Sequence, residues 1–254
     1  MKELNKPEKA YKNLDFLNST DARTLRILAE YLHPKAQFLS QGLQNTIVVF
    51  GSARAPAPEE AEHIKAANPN DPRLKLTSYY EQTVELTNRL TQWSLDLDEK
   101  EQLFVVCTGA GPGVMMAANQ GAHEAGGKNA GLAISLPNET VPNPYVTPEL
   151  HFEFHYFFTR KFWFSYFAKA LIIMPGGFGT LDELFEILTL IQTKKIERPL
   201  PIVLFGKEFW NKLINFETLV EFGTISPEDL NLVHLSDQVE DAFQFITSKL
   251  KTEL

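Results

Sequence analysis

The sequence predicts an α/β fold: a Rossmann-like, doubly wound, mostly parallel sheet with helices on both faces and an N-terminal helical extension. Two observations predict it. Short apolar runs alternate along the chain with helical patterns, the succession that builds βαβ units and a covered parallel sheet. Three of those runs end in glycine, at Gly51, Gly109 and Gly176. Ligands of such sheets bind at the carboxyl ends of the strands, where these glycines fall.

Residues 1–42 read as a helical preface, with Thr20-Asp21-Ala22-Arg23 opening a helix toward Tyr31. The first strand is Thr46-Ile47-Val48-Val49-Phe50, followed by Gly51-Ser52-Ala53-Arg54. Residues 55–72 contain Pro56, Pro58, Pro69 and Pro72 and read mostly as loop, with room for one helical turn. A helix over residues 76–95 follows. The second unit is a strand at 103–107, a turn Thr108-Gly109-Ala110-Gly111-Pro112-Gly113, and a helix to Ala125. A third strand at 131–136 leads into a Pro-rich loop. Residues 151–157 read as extended and 159–169 as helical. The last strands are 170–174 and 201–205, with helices over 208–222 and 239–250. The expected organisation is one domain, 1–254, with 1–42 as the extension and 43–254 as the core.

At 254 residues and 44% hydrophobic side chains, the chain can bury a large core. A formal charge of −8 argues against broad nucleic-acid binding. Cys107 is the only cysteine, which leaves no intrachain disulfide and no cysteine metal site, and fits a reducing cytoplasm. His123, His151 and His155 form no metal-ligand pattern. Residues 1–6 lack the apolar centre of a signal peptide, and no run approaches the ~20 apolar residues of a membrane span. The expectation is a cytoplasmic protein with neither nucleic-acid nor membrane partners.

The most telling stretch is Pro175-Gly176-Gly177-Phe178-Gly179-Thr180-Leu181-Asp182-Glu183, between a strand and a helix. Glycines allow close ligand approach and positive φ, and a helix start offers unpaired N–H groups to a phosphate. Glu183 is out of place in a pure anion cradle. It either does chemistry or closes a capping box with Thr180, a motif the four residues Thr180 to Glu183 fit. Arg160 and Lys161 pose the converse problem: two cations at a helix start oppose the macrodipole unless an anion lies near or solvent screens them. The aromatics Phe157, Phe158, Phe162, Trp163, Phe164, Tyr166 and Phe167 cover more than one helical face and suit a core or a subunit interface. Gly109, Gly111 and Gly113 are spaced GxGxG, and no acidic residue ends the next strand to hold a ribose, so a redox dinucleotide site is disfavoured. The turn suits a phosphate pocket or a purely structural bend.

Together these motifs resemble the LOG (lonely guy) family. The 175–183 stretch is similar to its PGGxGTxxE signature, Arg160-Lys161 stands where that family carries an Arg-Lys pair, and residues 108–115 and 50–54 are similar to its earlier loops. Residues 1–42 resemble the extension of larger bacterial members. The resemblance implies a nucleoside 5′-monophosphate phosphoribohydrolase, of the kind long labelled lysine decarboxylase. It would release adenine or a cytokinin base from ribose 5-phosphate, without a cofactor, as a homodimer or higher homo-oligomer. It implies catalytic roles for Glu183 and Arg160. Substrate binding falls to Gly176, Gly177, Gly179, Thr180, Lys161, Gly109, Gly111, Gly113 and Ser52, with Glu139 in the loop on the base side. The sequence departs from the family at Gly109-Ala110-Gly111, where many members have three glycines, and in a longer loop over 139–144. Two other readings stay open: a nucleotide or molybdenum-cofactor carrier using the same loops without turnover, and a pyridoxal-phosphate lysine decarboxylase, for which no lysine is convincingly placed.

Overall fold

A computed structural model describes residues 7–98, 102–135 and 143–252. Its strands are β1 (Thr46–Phe50), β2 (Val105–Thr108), β3 (Asn129–Ile134), β4 (His151–Phe154), β5 (Ala168–Ile173), β6 (Ile202–Phe205) and β7 (His234–Ser236). They form one parallel sheet in the order β4-β3-β2-β1-β5-β6-β7. The helices are α1 (Leu14–Asn18), α2 (Arg23–Ser40), α3 (Pro58–Ala67), α4 (Thr77–Asp96), α5 (Val114–Glu124), α6 (Phe157–Tyr166), α7 (Phe178–Gln192), α8 (Lys207–Leu213), α9 (Phe216–Glu221) and α10 (Val239–Lys251). The expected doubly wound fold with its N-terminal helical extension is present.

Strand alternation divides the core. Val48 and Phe50 of β1, with Leu171 and Ile173 of β5, face a cluster containing Phe38, Trp163, Phe164, Leu184 and Trp210. Ile47 and Val49, with Ala170 and Ile172, face Leu86, Leu90, Val114, Ala118 and Ile246 on the other side. Successive side chains point to opposite faces, so a run apolar at every position is buried twice. The edge strand β4 differs, with His151 and Glu153 exposed and Phe152 and Phe154 buried.

Four elements depart from expectation. Residues 55–72 hold a ten-residue helix, α3, because Pro58 stands at its start, where a missing N–H costs nothing. Helix α2 continues past Tyr31 to Ser40, through Pro34. The expected helix over 208–222 breaks at Ile214 and Asn215, and the Asn215 side chain caps α9 by accepting from the Thr218 N–H. β7, unforeseen, is three residues long and half-buried at two of them, too short to leave a periodic signal.

The strand order fixes where a ligand belongs. From β1 the chain winds outward through β2, β3 and β4, then returns to place β5 on the other side of β1. The order of winding reverses between β1 and β5, and the crevice of such a fold opens beyond the carboxyl ends of those two strands.

Candidate functional site

Three loops meet at that crevice, and Ser52 joins them through its backbone. Its N–H donates to Pro175 O at 3.0 Å, and its carbonyl accepts from the Val114 N–H at 3.0 Å. Gly113 permits the junction: its φ is +66°, and a Cβ there would collide with the carbonyl of Ser52 and the backbone of Ala53. Gly51 is equally confined, against Val114 and Met174.

Beneath the second loop lies a buried polar network. The Thr108 hydroxyl donates to Asn119 Oδ1 at 2.6 Å, and Asn143 Nδ2 donates to the same oxygen at 3.0 Å. Asn119 Nδ2 donates to Asn129 Oδ1 at 2.8 Å, and Asn129 Nδ2 to Tyr145 O at 2.9 Å. The Ala110 N–H closes the turn on Thr108 Oγ1. Ala110 holds a φ of +58°, a left-handed conformation that an alanine side chain disfavours.

The third loop starts α7. Gly177 is its N-cap, with extended backbone and no side-chain cap, and the first helical bond runs from the Leu181 N–H to Gly177 O. The N–H groups of Phe178, Gly179 and Thr180 precede that bond and have no carbonyl within the helix to meet. The capping box is thereby corrected: Thr180 is the third helical residue and Glu183 the sixth, so neither stands at a cap position. None of the three glycines here has a positive φ. Gly176 is needed because a Cβ would strike the Thr180 side chain, whereas at Gly177 and Gly179 a Cβ would meet nothing within 4 Å. Those two glycines keep space open toward the crevice.

The crevice is a cavity of about 610 Å³ lined by Ser52, Arg54, Gly109, Phe157, Arg160, Gly177, Phe178, Gly179, Thr180 and Glu183, among others. A slightly larger cleft of about 660 Å³ between α3, α4 and α5 lies away from the glycine loops. Glu183 is 8% exposed. Burial raises its pKa to about 7, against the pull of Lys161 and Arg160, with Glu186 and Asp182 adding to the rise. Arg160 stacks its guanidinium 5.2 Å from the centroid of the Phe164 ring. Lys161 sits between Asp182 and Glu186, 2.7 Å from each. Cys107, at the end of β2, is fully enclosed; burial pushes its thiol up to about 12, despite Arg160, and makes it a poor nucleophile. Among the described residues no three His, Cys, Asp or Glu side chains gather as a metal ion's ligands would. Nor is any described helix long and apolar enough to cross a membrane.

A family model described as "Possible lysine decarboxylase" matches residues 115–246, just over half of the chain. The chain belongs to that family. Cytokinin riboside 5′-monophosphate phosphoribohydrolase LOG7 of Arabidopsis thaliana is 28% identical over 193 residues, covering 69% of this chain and 82% of the relative. LOG3 of the same plant is 30% identical over 160 residues, covering 60% and 67%. Among solved structures, the structural-genomics target TM1055 aligns with a TM-score of 0.52 at 21% identity, covering 80% of this chain and 99% of that one. The molybdenum-cofactor (Moco) carrier protein of Chlamydomonas reinhardtii aligns at 0.50 and 20%, covering 82% and 99%. Likenesses at that identity speak for the fold.

The matched span holds α6 and α7, and with them Arg160 and Glu183. Of the residues singled out from sequence, Ser52, Gly109, Arg160, Gly177, Gly179, Thr180 and Glu183 line the cavity. Gly113 and Gly176 act behind the surface, as described. Gly111 is buried outside the lining, Lys161 is held by its two carboxylates, and Glu139 lies outside the described residues. Sequence reasoning did not assign Arg54 or Phe178 to the site, and it read Phe157 with its neighbouring aromatics as core or subunit interface. Phe178 is 93% exposed at the first turn of α7, an unusual place for a large apolar ring, and its position inside the glycine motif was the available signal.

Proposed function

We propose that this chain is a hydrolase that cleaves the N-glycosidic bond of a nucleoside 5′-monophosphate, releasing an adenine or cytokinin base and ribose 5-phosphate. The observation that carries this reading is Glu183, a carboxylate in the cavity wall with its pKa raised by burial to about 7. An anion-binding loop gains nothing from such a group, since like charges repel. A general base gains a great deal, because its best pKa lies near the working pH. The names of the Arabidopsis relatives support the substrate class.

The N–H groups at the start of α7 would receive the 5′-phosphate, where the helix dipole favours an anion. Glu183 would take a proton from the attacking water as its oxygen bonds to the anomeric carbon. The C–N bond electrons leave with the base, which takes a proton from solvent as it departs, and Glu183 returns its proton to solvent to complete the cycle. The same carboxylate would stabilise the oxocarbenium-like ribose, as carboxylates do in glycoside hydrolysis. Arg160 would orient the ribose phosphate and favour the ionised form of Glu183.

Lysine decarboxylation finds less support. A pyridoxal-phosphate site needs a lysine for its Schiff base, and no lysine is found among the described residues lining the cavity. We also infer that the chain acts as one domain, in the cytoplasm, and as a homodimer or larger homo-oligomer. The exposed aromatics Phe157, Phe158 and Tyr166 of α6 support self-association.

The test is chromatographic. Purified protein incubated with AMP should yield free adenine, and Glu183→Gln should yield none. Adenine released equally by both removes Glu183 from the mechanism. AMP bound tightly but never cleaved by the wild type would identify a non-catalytic carrier instead.

A further inference from the structure

The N-terminal extension reaches the site through one residue. Helix α6 starts at Phe157 after the N-cap Tyr156, which provides no side-chain cap of its own. A helix start leaves N–H groups without partners and carries partial positive charge. Arg160 and Lys161 add two cations within the first five residues of this helix.

A carboxylate of α2 meets the segment that leads into this helix. Glu30 Oε1 accepts from the His155 N–H at 2.8 Å, and Oε2 accepts from the Tyr156 N–H at 3.3 Å and from the Thr159 hydroxyl at 2.6 Å. One carboxylate thus anchors the last two residues before a helix and the hydroxyl of its third residue, more than a hundred residues away in sequence. The segment leading into α6 is thereby tied to α2.

Glu30 is held at its backbone as well. Pro34, four residues on and buried inside α2, has no N–H to donate to the Glu30 carbonyl. Trp163 of α6 fills the vacancy, its Nε1 donating to Glu30 O at 3.2 Å. Tyr31 stacks on Trp163 with ring centroids 5.3 Å apart, and Phe38 meets the same indole edge-on. A proline that looks like a defect in α2 is therefore what frees the carbonyl for this joint.

Arg160 follows Thr159 directly, and its N–H bonds to Tyr156 O at 3.4 Å. Its guanidinium lies against Gly109, with Nη2 2.7 Å from where a Cβ there would stand. A shift in the start of α6 therefore moves the guanidinium relative to Gly109 and Glu183. We propose that Glu30 is a positioning residue for the site: its carboxylate fixes the start of α6 and so sets the place of Arg160 beside Gly109. This rests on the reading of Arg160 given under Proposed function. Glu30 lines no part of the cavity and touches no substrate.

A double-mutant cycle separates positioning from plain stability. Glu30→Ala should lower kcat/KM for base release about 10- to 100-fold, in the range set by small misplacements of catalytic groups. Glu30→Gln, which keeps one acceptor oxygen, should recover part of that loss. In an Arg160→Ala background, Glu30→Ala should change kcat/KM by less than about two-fold, as coupled residues do. The same fold-loss in both backgrounds overturns the proposal, because a merely structural role is additive. If the wild type releases no base, the hydrolase reading fails but the positioning claim is still decided. A crystal structure of Glu30→Ala should show the Arg160 guanidinium displaced from Gly109 and the Phe164 ring, and an unmoved guanidinium overturns the claim.

Discussion

The guanidinium of Arg160 fills the space that a side chain at Gly109 would occupy: a Cβ built on Gly109 lies 2.7 Å from Arg160 Nη2 and 2.8 Å from Met115 Sδ. The glycine of one loop and the arginine of a helix from another βαβ unit are thus fitted to each other. Gly109→Ala should displace the guanidinium and cut kcat/KM about 10- to 100-fold, since a misplacement near 1 Å can cost 10²-fold. Thermal melting and far-UV circular dichroism should show a folded protein. Unchanged kinetics would separate Gly109 from the placement of Arg160.

The activity should rise with pH along a limb centred near 7, the value to which burial raises Glu183. The stability effect has the opposite sign. A carboxyl whose folded pKa stands above its unfolded 4.5 binds more protons in the fold, so stability falls as pH rises from about 4.5 through 7. Glu183→Gln removes that loss and should stabilise the protein by up to about 3 kcal/mol at pH 8, with little effect near pH 4.5. Melting curves at the two pH values check this. Lys161→Ala removes the largest influence holding the Glu183 pKa down, so its acid limb should move above that of the wild type, measurable as kcat/KM against pH.

Gly176, Gly177 and Gly179 should respond differently to alanine. Gly176→Ala collides with Thr180 and should destabilise the start of α7. Gly179→Ala adds a methyl in open space inside a helix and should stabilise by about 0.5–1 kcal/mol, while the methyl intrudes on the anion pocket. Its KM for a nucleoside monophosphate should rise at least about ten-fold, the equivalent of a weakened charge-assisted hydrogen bond. Denaturation and steady-state kinetics on both variants distinguish packing from ligand space.

Asn119→Ala removes the hub of the network beneath Gly109, taking away the partner of the Thr108 hydroxyl proton, of Asn129 Oδ1 and of Asn143 Nδ2 in a buried place. Each buried polar group left unsatisfied costs about 1–3 kcal/mol, so a loss of at least about 2 kcal/mol is expected in urea denaturation. A loss below 0.5 kcal/mol, roughly that of an ordinary surface substitution, would mean the network carries little of the fold.

Much of the site was legible because its signals are local. Glycine after an apolar run marks a strand end, and an arginine at a helix start is conspicuous against the dipole. The same locality misled at Thr180. Thr180 to Glu183 satisfies a capping pattern, yet Gly177 starts the helix three residues sooner, with Gly179 tolerated in its first turn. Proline misled in both directions: Pro58 begins a helix that four prolines seemed to forbid, and Pro34 lies within α2 without ending it.

The sequence by itself determined the parallel α/β architecture, the three strand-end loops and the glycine-rich start of α7, because each depends on contacts within a few residues. Only the tertiary structure decided which loops share a crevice, that Lys161 is held by Asp182 and Glu186, and that Glu183 is buried enough to titrate near 7. It alone decided that Glu30 of α2 holds the backbone of His155 and Tyr156 at the entry to α6. Solvent exclusion and long-range hydrogen bonds depend on which surfaces the sheet order brings together, and strand order leaves no periodic mark on the chain.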